Sequence, residues 1–357
     1  MSVVRPLRLG LILSAAKRSR RTHGFASVFA ALLCAAGASA QTTSMTTVRM
    51  GVVGRPDQAP FELAYRRGYF EKRGIKIEEV PGSSGQEFAS ALATEQMQVA
   101  TGVPNAALFN AMNRGINIRI VADFAHLGDA KDRTVSIMVR SALMDSGQVK
   151  GPADLKGRII AAGPYPGQYP DLLWSKVLAL GHLGIGDVHV VHMGFADALA
   201  AMGSNTVDAA FMIEPLVTEA DVKNIARILL PAGAVDQGAE LSVVLYSPDF
   251  SENLDLGTRF LAAFLEGARD YDDAFFHGKG KDAAIALLAK YLPVKDPKIW
   301  ETSRQFTDLD GRVNIADLKR QAAFLKQQGT VSGPIPDIDA HVDERFAKGA
   351  VALIGAR

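Results

Sequence analysis

Cysteine is all but missing: the 357 residues contain one, Cys34. That excludes a disulfide framework, a thiolate zinc site and an iron–sulfur cluster. An excess of one charge is missing too. Lys and Arg number 39 against 38 Asp and Glu, a formal net charge of +1, which argues against a nucleic-acid binder that works through a dense basic patch. No apolar run reaches the roughly 20 residues that span a bilayer. The signatures G-x-S-x-G, G-x-x-x-x-G-K-[ST] and H-E-x-x-H do not occur, and Gly82-Ser83-Ser84-Gly85 matches no dinucleotide fingerprint. His189 and His192 would face opposite sides of a strand and cannot share one ion. Asp308 and Asp310 bring too few oxygens for a calcium loop. No cofactor, metal or catalytic group is therefore expected. What is present is apolar material for a large core: 48% hydrophobic and 22% charged residues, with a length that suggests about two domains of ~150 residues each.

Charge is unevenly placed. Residues 1–40 carry Arg5, Arg8, Lys17, Arg18, Arg20 and Arg21 and no acid, leaving 33 basic against 38 acidic residues and a net charge of −5 beyond them. The basic stretch ends at Arg21, an apolar run follows from Phe25 to Ala36, and Ala38-Ser39-Ala40 is a small-x-small site before Gln41. This is the order of a cleaved secretory signal. It predicts cleavage after Ala40 and a mature, cysteine-free protein in the periplasm. A retained membrane anchor is the alternative. Leu33 stands before Cys34 where lipidated signals place a small residue, and Ser19-Arg20-Arg21 is only partly like a twin-arginine signal.

Past residue 41 the pattern alternates. Strands are expected at Val48–Gly54, Ile75–Val80, Val99–Thr101, Ile118–Phe124, Thr134–Arg140, Arg158–Ala162, Val188–Met193, Val207–Ile213, Ala226–Leu230 and Leu241–Ser247. Helices lie between them, including one from about Asp171 to Leu180. Ser84 and Glu87 have capping-box spacing. Strands alternating with helices imply βαβ units and mostly parallel sheets. From Leu254 the chain reads as helical, with segments near 254–275, 281–291, 314–328 and 338–350. The second βαβ cluster sits between two apolar strands, the pattern of a domain inserted by two crossing strands.

Four helices start directly after strands, at loops of Gly, Ser, Thr, Pro and Asn: Arg55–Pro60, Gly82–Gln86, Thr101–Asn105 and Gly163–Pro170. A helix N-terminus offers unpaired N–H donors and about +0.5 charge, so several together make an anion site without a buried lysine. Ligands of open α/β sheets lie at these strand ends. The candidate ligand-binding residues are Arg55, Gln58, Pro60, Ser83, Ser84, Gln86, Thr101, Pro104, Asn105 and Gln168. Tyr165, Tyr169 and Phe195 are candidates to stack on an organic body, Glu214 to accept a ligand donor, and His126 and Tyr246 to complete the set. For each loop the alternative is an ordinary helix cap, and for each aromatic, packing in its own lobe.

Several stretches together resemble a family. They are Val48–Pro60 with Ala64-Tyr65-Arg66-Arg67-Gly68-Tyr69-Phe70-Glu71-Lys72-Arg73-Gly74, then Ala91–Asn105, Ala153-Asp154-Leu155-Lys156-Gly157-Arg158, Asp187-Val188, Ala198-Leu199, and Asp208-Ala209-Ala210 through Glu214-Pro215. In order and spacing they are similar to the nitrate/sulfonate/taurine group of ABC-transporter solute-binding proteins, which includes binders of pyrimidine precursors. The resemblance implies an α/β, two-lobe periplasmic-binding-protein fold of type II (Venus flytrap), with two crossover strands and a helical C-terminal tail. Lobe 1 would take 41–135 and 246–357, and lobe 2 would take 136–245. It implies a monomer that binds a small organic anion, sulfonate or carboxylate, and docks on an ABC permease, with no nucleic acid as partner. The other readings are a secreted enzyme on the same scaffold, with His126, Glu214 or Asp57 as acid/base groups, and a subunit presenting ligand to a sensor kinase.

Overall fold

A computed structural model describes residues 45–357 apart from 83, 84, 295, 296, 298 and 303. The expected signal segment, the Ser84–Glu87 box, and candidates Ser83 and Ser84 therefore lie outside the described residues. Gln86 is placed by its backbone in a helix.

The chain runs β1 (Thr46–Val52), α1 (Ala59–Arg66), β2 (Ile75–Pro81), α2 (Gly85–Ala93), β3 (Val99–Gly102), α3 (Ala106–Asn113), β4 (Arg119–His126). It then makes β5 (Val135–Arg140), α4 (Ser141–Asp145), β6 (Ile159–Ala161), α5 (Tyr169–Leu180), β7 (His189–Val191), α6 (Phe195–Gly203), β8 (Ala209–Ile213), α7 (Leu216–Val222), β9 (Ala226–Pro231), α8 (Gly233–Asp236) and β10 (Glu240–Tyr246). The tail is α9 (Pro248–Glu252), α10 (Leu254–Phe275), α11 (Lys281–Tyr291), α12 (Ile299–Thr302), α13 (Ile315–Gln327), α14 (Ile338–His341) and α15 (Glu344–Ile354). Among the described residues no helix is long and apolar enough to cross a membrane.

Two sheets form, in the orders β2-β1-β3-β10-β4 and β7-β6-β8-β5-β9. In each, one strand runs against its neighbours: β10 is antiparallel to β3 and β4, and β5 to β8 and β9. Each is the first strand after the chain passes between sheets. Segment 127–134 carries the chain across and 232–239 brings it back. These crossovers pair with each other, Leu127 N–H donating to Ala239 O at 2.9 Å and Gly238 N–H to Leu127 O at 2.9 Å. The return therefore falls at Glu240 and not at residue 246, because β10 hydrogen-bonds into the first sheet.

The strands read as nearly unbroken apolar runs because both sheet faces are covered. Val48, Met50, Ile77, Val99 and Val244 pack under Phe61, Phe70, Phe260, Phe264 and Phe346. Ala100, Ile120, Val243 and Leu245 pack on the opposite side against Phe88, Phe109 and Met112. In the second sheet, Ile137 and Val139 face Leu173 and Trp174, while Met138 between them faces Leu199 and Met202, the period of two that a strand imposes.

The family-like stretches turn out to fasten this frame. Arg67 and the Tyr69 hydroxyl both bond Asp270 of α10, and Arg73 pairs with Glu266 at 2.7 Å. Gly68 and Gly74 adopt φ of 73° and 71°, which glycine reaches without strain. Asp154 accepts the Lys150 and Gly151 amides at 2.8 and 3.1 Å. Asp208 binds Arg140 at 2.6 Å and the Ile159 amide at 3.0 Å, joining β5 to β6. The segment expected as one helix over 338–350 is two. Asp343 N–H donates to Ile120 O at 2.8 Å, which interrupts the run, and the Asp343 carboxylate then caps α15 at Arg345 N–H, 3.1 Å.

Candidate functional site

Register fixes which strand ends face the crossovers. His126, the last residue of β4, pairs with Glu240, the first of β10. Val135, the first of β5, pairs with Ile213, the last of β8. The carboxyl ends of the parallel strands of both sheets thus open on the side where the two crossovers run. A crevice at such ends is where ligands of open α/β sheets lie.

On the first half, Pro104 and Asn105 stand at the carboxyl end of β3. Asn105 is the N-cap of α3, its Oδ1 accepting the Leu108 amide at 2.9 Å. Thr101 lies half-buried one residue inside the same strand, paired with Val244. Arg55 follows β1 and is half-exposed, pairing with Asp57 at 2.6 Å. Its guanidinium is raised further above its usual range, chiefly by Asp57. Gln58 is 1% exposed; its Oε1 accepts the Val53 and Gly54 amides at 3.0 and 2.9 Å and folds the loop back on β1. Pro60 is buried in the first turn of α1. These two shape the loop from within.

On the second half, Tyr165 is 59% exposed in the loop after β6, and Gln168 is the residue before α5. Phe195 begins α6 and packs on Phe211, ring centroids 5.9 Å apart. Glu214 follows β8. Its carboxylate accepts the Thr218 amide at 3.0 Å and the Thr218 hydroxyl at 2.8 Å, so it caps α7.

Two candidates are corrected. Tyr169 is 3% exposed and its hydroxyl donates to Asp236 at 2.9 Å. The helix begins two residues earlier than expected, because Pro170 fits its first turn and does not belong to the loop. Tyr246 is fully buried, edge-on to Phe250 and Phe346, with its hydroxyl donating to Gly257 O at 2.7 Å. The antiparallel course of β10 carries this residue to the end of the sheet away from the crossovers.

The helix starts are not alike. Asp171 in the first turn of α5 accepts the Gly167 amide at 2.7 Å and pairs with His192 at 2.9 Å. Asp197 lies in the first turn of α6, and Glu214 caps α7. The starts of α5, α6 and α7 therefore each carry an acid, which offsets the dipole that would attract an anion. In the first half Glu62 and Glu87 stand in the first turns of α1 and α2. The α3 start has no acid.

Of the polar cluster at the crossovers, sequence reasoning named His126 and missed Asp123 and Glu240. His126 Nδ1 lies 2.7 Å from Asp123 Oδ2, which also accepts the Asp308 amide at 2.6 Å. Burial lowers the His126 imidazole, but the Asp123 bond and charge outweigh it and raise it above its ordinary value. Glu240 is 1% exposed. Burial first, and the Asp123 charge beside it second, push its carboxyl up to about 10. Asp123 Oδ1 and Glu240 Oε2 are both buried without another hydrogen-bond partner, so a proton on Glu240 relieves the repulsion between the two carboxyls. Nothing local in the sequence marks this pair, since the residues lie on strands that meet only in the sheet. Two hollows lie elsewhere. One of about 110 Å³ is walled by Tyr271, Phe276, Gln305 and Phe306. The other, about 490 Å³, is an open groove at the far end of β4, where Arg345–Asp343 and Lys348–Glu344, each 2.7 Å, pair internally. Among the described residues no group of His, Cys, Asp and Glu is placed to hold a metal ion.

The family model described as NMT1/THI5 like matches residues 55–273. A Brachyspira hyodysenteriae protein named as an ABC transporter periplasmic binding protein is 25% identical over 248 residues, covering 68% of this chain and 70% of that protein. A Bacillus subtilis protein named as an aliphatic sulfonates-binding protein is 28% identical over 244 residues, covering 64% of this chain and 66% of its own length. Among solved structures, the periplasmic aliphatic sulphonate binding protein SsuA from Escherichia coli has a TM-score of 0.67 at 22% identity, covering 83% of this chain and 92% of that one. That likeness is one of fold.

Proposed function

We propose, from the premise that this chain belongs to the NMT1/THI5 like family, that it is the extracytoplasmic solute-binding protein of an ABC importer. It captures a small organic anion, a sulfonate or carboxylate, between its two halves in the periplasm and delivers it as a monomer to a membrane permease. The observation that carries this reading is the paired construction: two sheets of one strand order, joined by two crossovers, with the loops of both turned toward the crossover side. Such a molecule binds by closing, and ligand shifts it toward the closed arrangement by the difference in affinity between the two states. The acid-free start of α3, with Asn105 at its cap, is the part of the opening best suited to the charged group. Tyr165 offers an exposed ring to the organic part.

Acid–base catalysis has little support. Asp57 is paired with Arg55, Glu214 with the α7 start, and His126 with Asp123. Each of the three already has a structural bond. Thermal-shift and calorimetric titration of the purified protein with sulfonates, aromatic carboxylates, nitrate and a pyrimidine precursor tests the reading. A ligand at 100 times its Kd stabilises the fold by about 2.7 kcal/mol and is recovered unchanged after denaturation. If none of these anions raises the melting point, the ligand class is wrong. If a bound compound is recovered altered, the protein is an enzyme.

A further inference from the structure

We propose that α13 is a latch between the halves: anchored on the first, it grips the second crossover and the back of the 163–168 loop, so that Arg320 sets the balance between open and closed arrangements. The proposal rests on the solute-binding reading and adds a positioning residue that lies away from the candidate ligand groups.

The anchoring is apolar. Leu318, Ala322 and Leu325 are buried with Phe109, Met112, Val243 and Leu245 of the first half. Polar bonds extend it to the start of β10, where Asp317 Oδ2 accepts the Glu240 amide at 2.7 Å and Gln321 Nε2 donates to Glu240 O at 2.8 Å.

The same helix reaches the other half. Arg320 Nη2 donates to Asp236 Oδ1 at 2.8 Å and also bonds Asp317. Asp236 lies inside the second crossover, and its other oxygen receives Lys176 Nζ at 2.6 Å and the Tyr169 hydroxyl at 2.9 Å, both from α5. Phe324 packs against the core of the second half as well as the first. Beyond α13, Thr330 lies against Gly167, where an added Cβ would come within 3.1 Å of the threonine side chain. Thr330 is itself held to the first half, its carbonyl accepting Asn110 Nδ2 at 3.0 Å.

One guanidinium thus joins two buried carboxylates, one on the crossover and one on the anchored helix. Hinge motion concentrates in a few residues of the connecting segments, so a bond fixed inside such a segment must be kept or broken as the halves move. Removing Arg320 leaves Asp317 without its cation and Asp236 held only from the second half, so the crossover loses one of its ties to the first half and keeps the bond from Asn314 Nδ2 to Gly238 O, 2.8 Å.

The test uses the full chain with Cys34→Ser, which leaves no other cysteine. Lys76→Cys and His189→Cys, exposed on the outer strands β2 and β7, carry spin labels. Inter-label distances are measured without ligand, and binding of ethanesulfonate is measured separately. Arg320→Ala is expected to shift or broaden the distance distribution and to weaken ethanesulfonate binding about three- to tenfold, with Arg320→Lys restoring much of both. Lys176→Met, which loosens Asp236 from the other side, is expected to change the distribution too and serves if Arg320→Ala does not fold. A purely structural role would lower the melting temperature and leave the distances unmoved. Superimposable distributions for the parent and both variants overturn the proposal. Failure of the parent to bind ethanesulfonate would count against the ligand class alone, since the distance comparison needs no ligand.

Discussion

The two halves share one strand order but not one chemistry. Where the first sheet meets the crossovers it places Asp123, His126 and Glu240. At the matching places the second sheet has Ile228, Pro231 and Val135. The helix starts differ as well: α5, α6 and α7 carry Asp171, Asp197 and Glu214, while α3 of the first half carries no acid. A common frame therefore supports unequal duties. The first half holds the acid-free helix start and the buried Glu240 carboxyl, and on the function proposed above the anion would lie against that half. The helical tail, packed mainly on the first half, adds to the asymmetry.

The largest effect should come from striking one half only. At Gly267 of α10 an added Cβ would lie 2.4 Å from Pro60 O and 2.5 Å from Ala64 Cβ of α1, and backbone cannot yield there. Gly267→Val should cost about 3 kcal/mol or more, at the upper end for overpacking. The two tryptophans report separately, Trp300 from the tail cluster and Trp174 from the second half. In urea, with the other tryptophan replaced by Phe, the Trp300 signal should be lost first. Coincident loss would show that the halves unfold as one unit.

A second test addresses the buried carboxyl. A group whose pKa is raised on folding binds its proton more tightly in the native state, so its contribution to stability falls as pH rises. For Glu240 the window runs from the ordinary carboxylate range to about 10. Glu240→Gln keeps a donor for Asp123 and has no such slope. Against the wild type it should gain stability steadily between pH 5 and 9, as the unfolded Glu240 ionises and the folded one does not. Parallel melting curves for the two proteins across that range would contradict the raised Glu240 carboxyl.

The smallest effect is expected at Glu214. Loss of a helix cap costs about 1 kcal/mol, so Glu214→Ala should lower the melting temperature slightly and leave anion affinity equal or somewhat higher. A large loss of affinity would move the ligand to the second half.

The frame was legible because its signals are local. Apolar runs marked the ten strands of the described residues to within a few residues, and the Ala64–Gly74 and Ala153–Arg158 stretches are turns and docking contacts. The site was less so. Tyr169 and Tyr246 are aromatics near apparent loops, and their burial depends on where a helix begins and which way a strand runs. Asp236, Lys176 and Arg320 meet from positions up to 144 residues apart, and no spacing rule connects them.

The central claim is that the anion is held by main-chain donors at the start of α3. Asn105→Asp tests it most directly, because Asp caps a helix as well as Asn does and the only large change is a negative charge at that start. Titrated with whichever anion binds the wild type most tightly, the variant should lose at least tenfold in affinity, about 1.4 kcal/mol, at an unchanged melting temperature. Equal affinity in the two proteins would contradict the account.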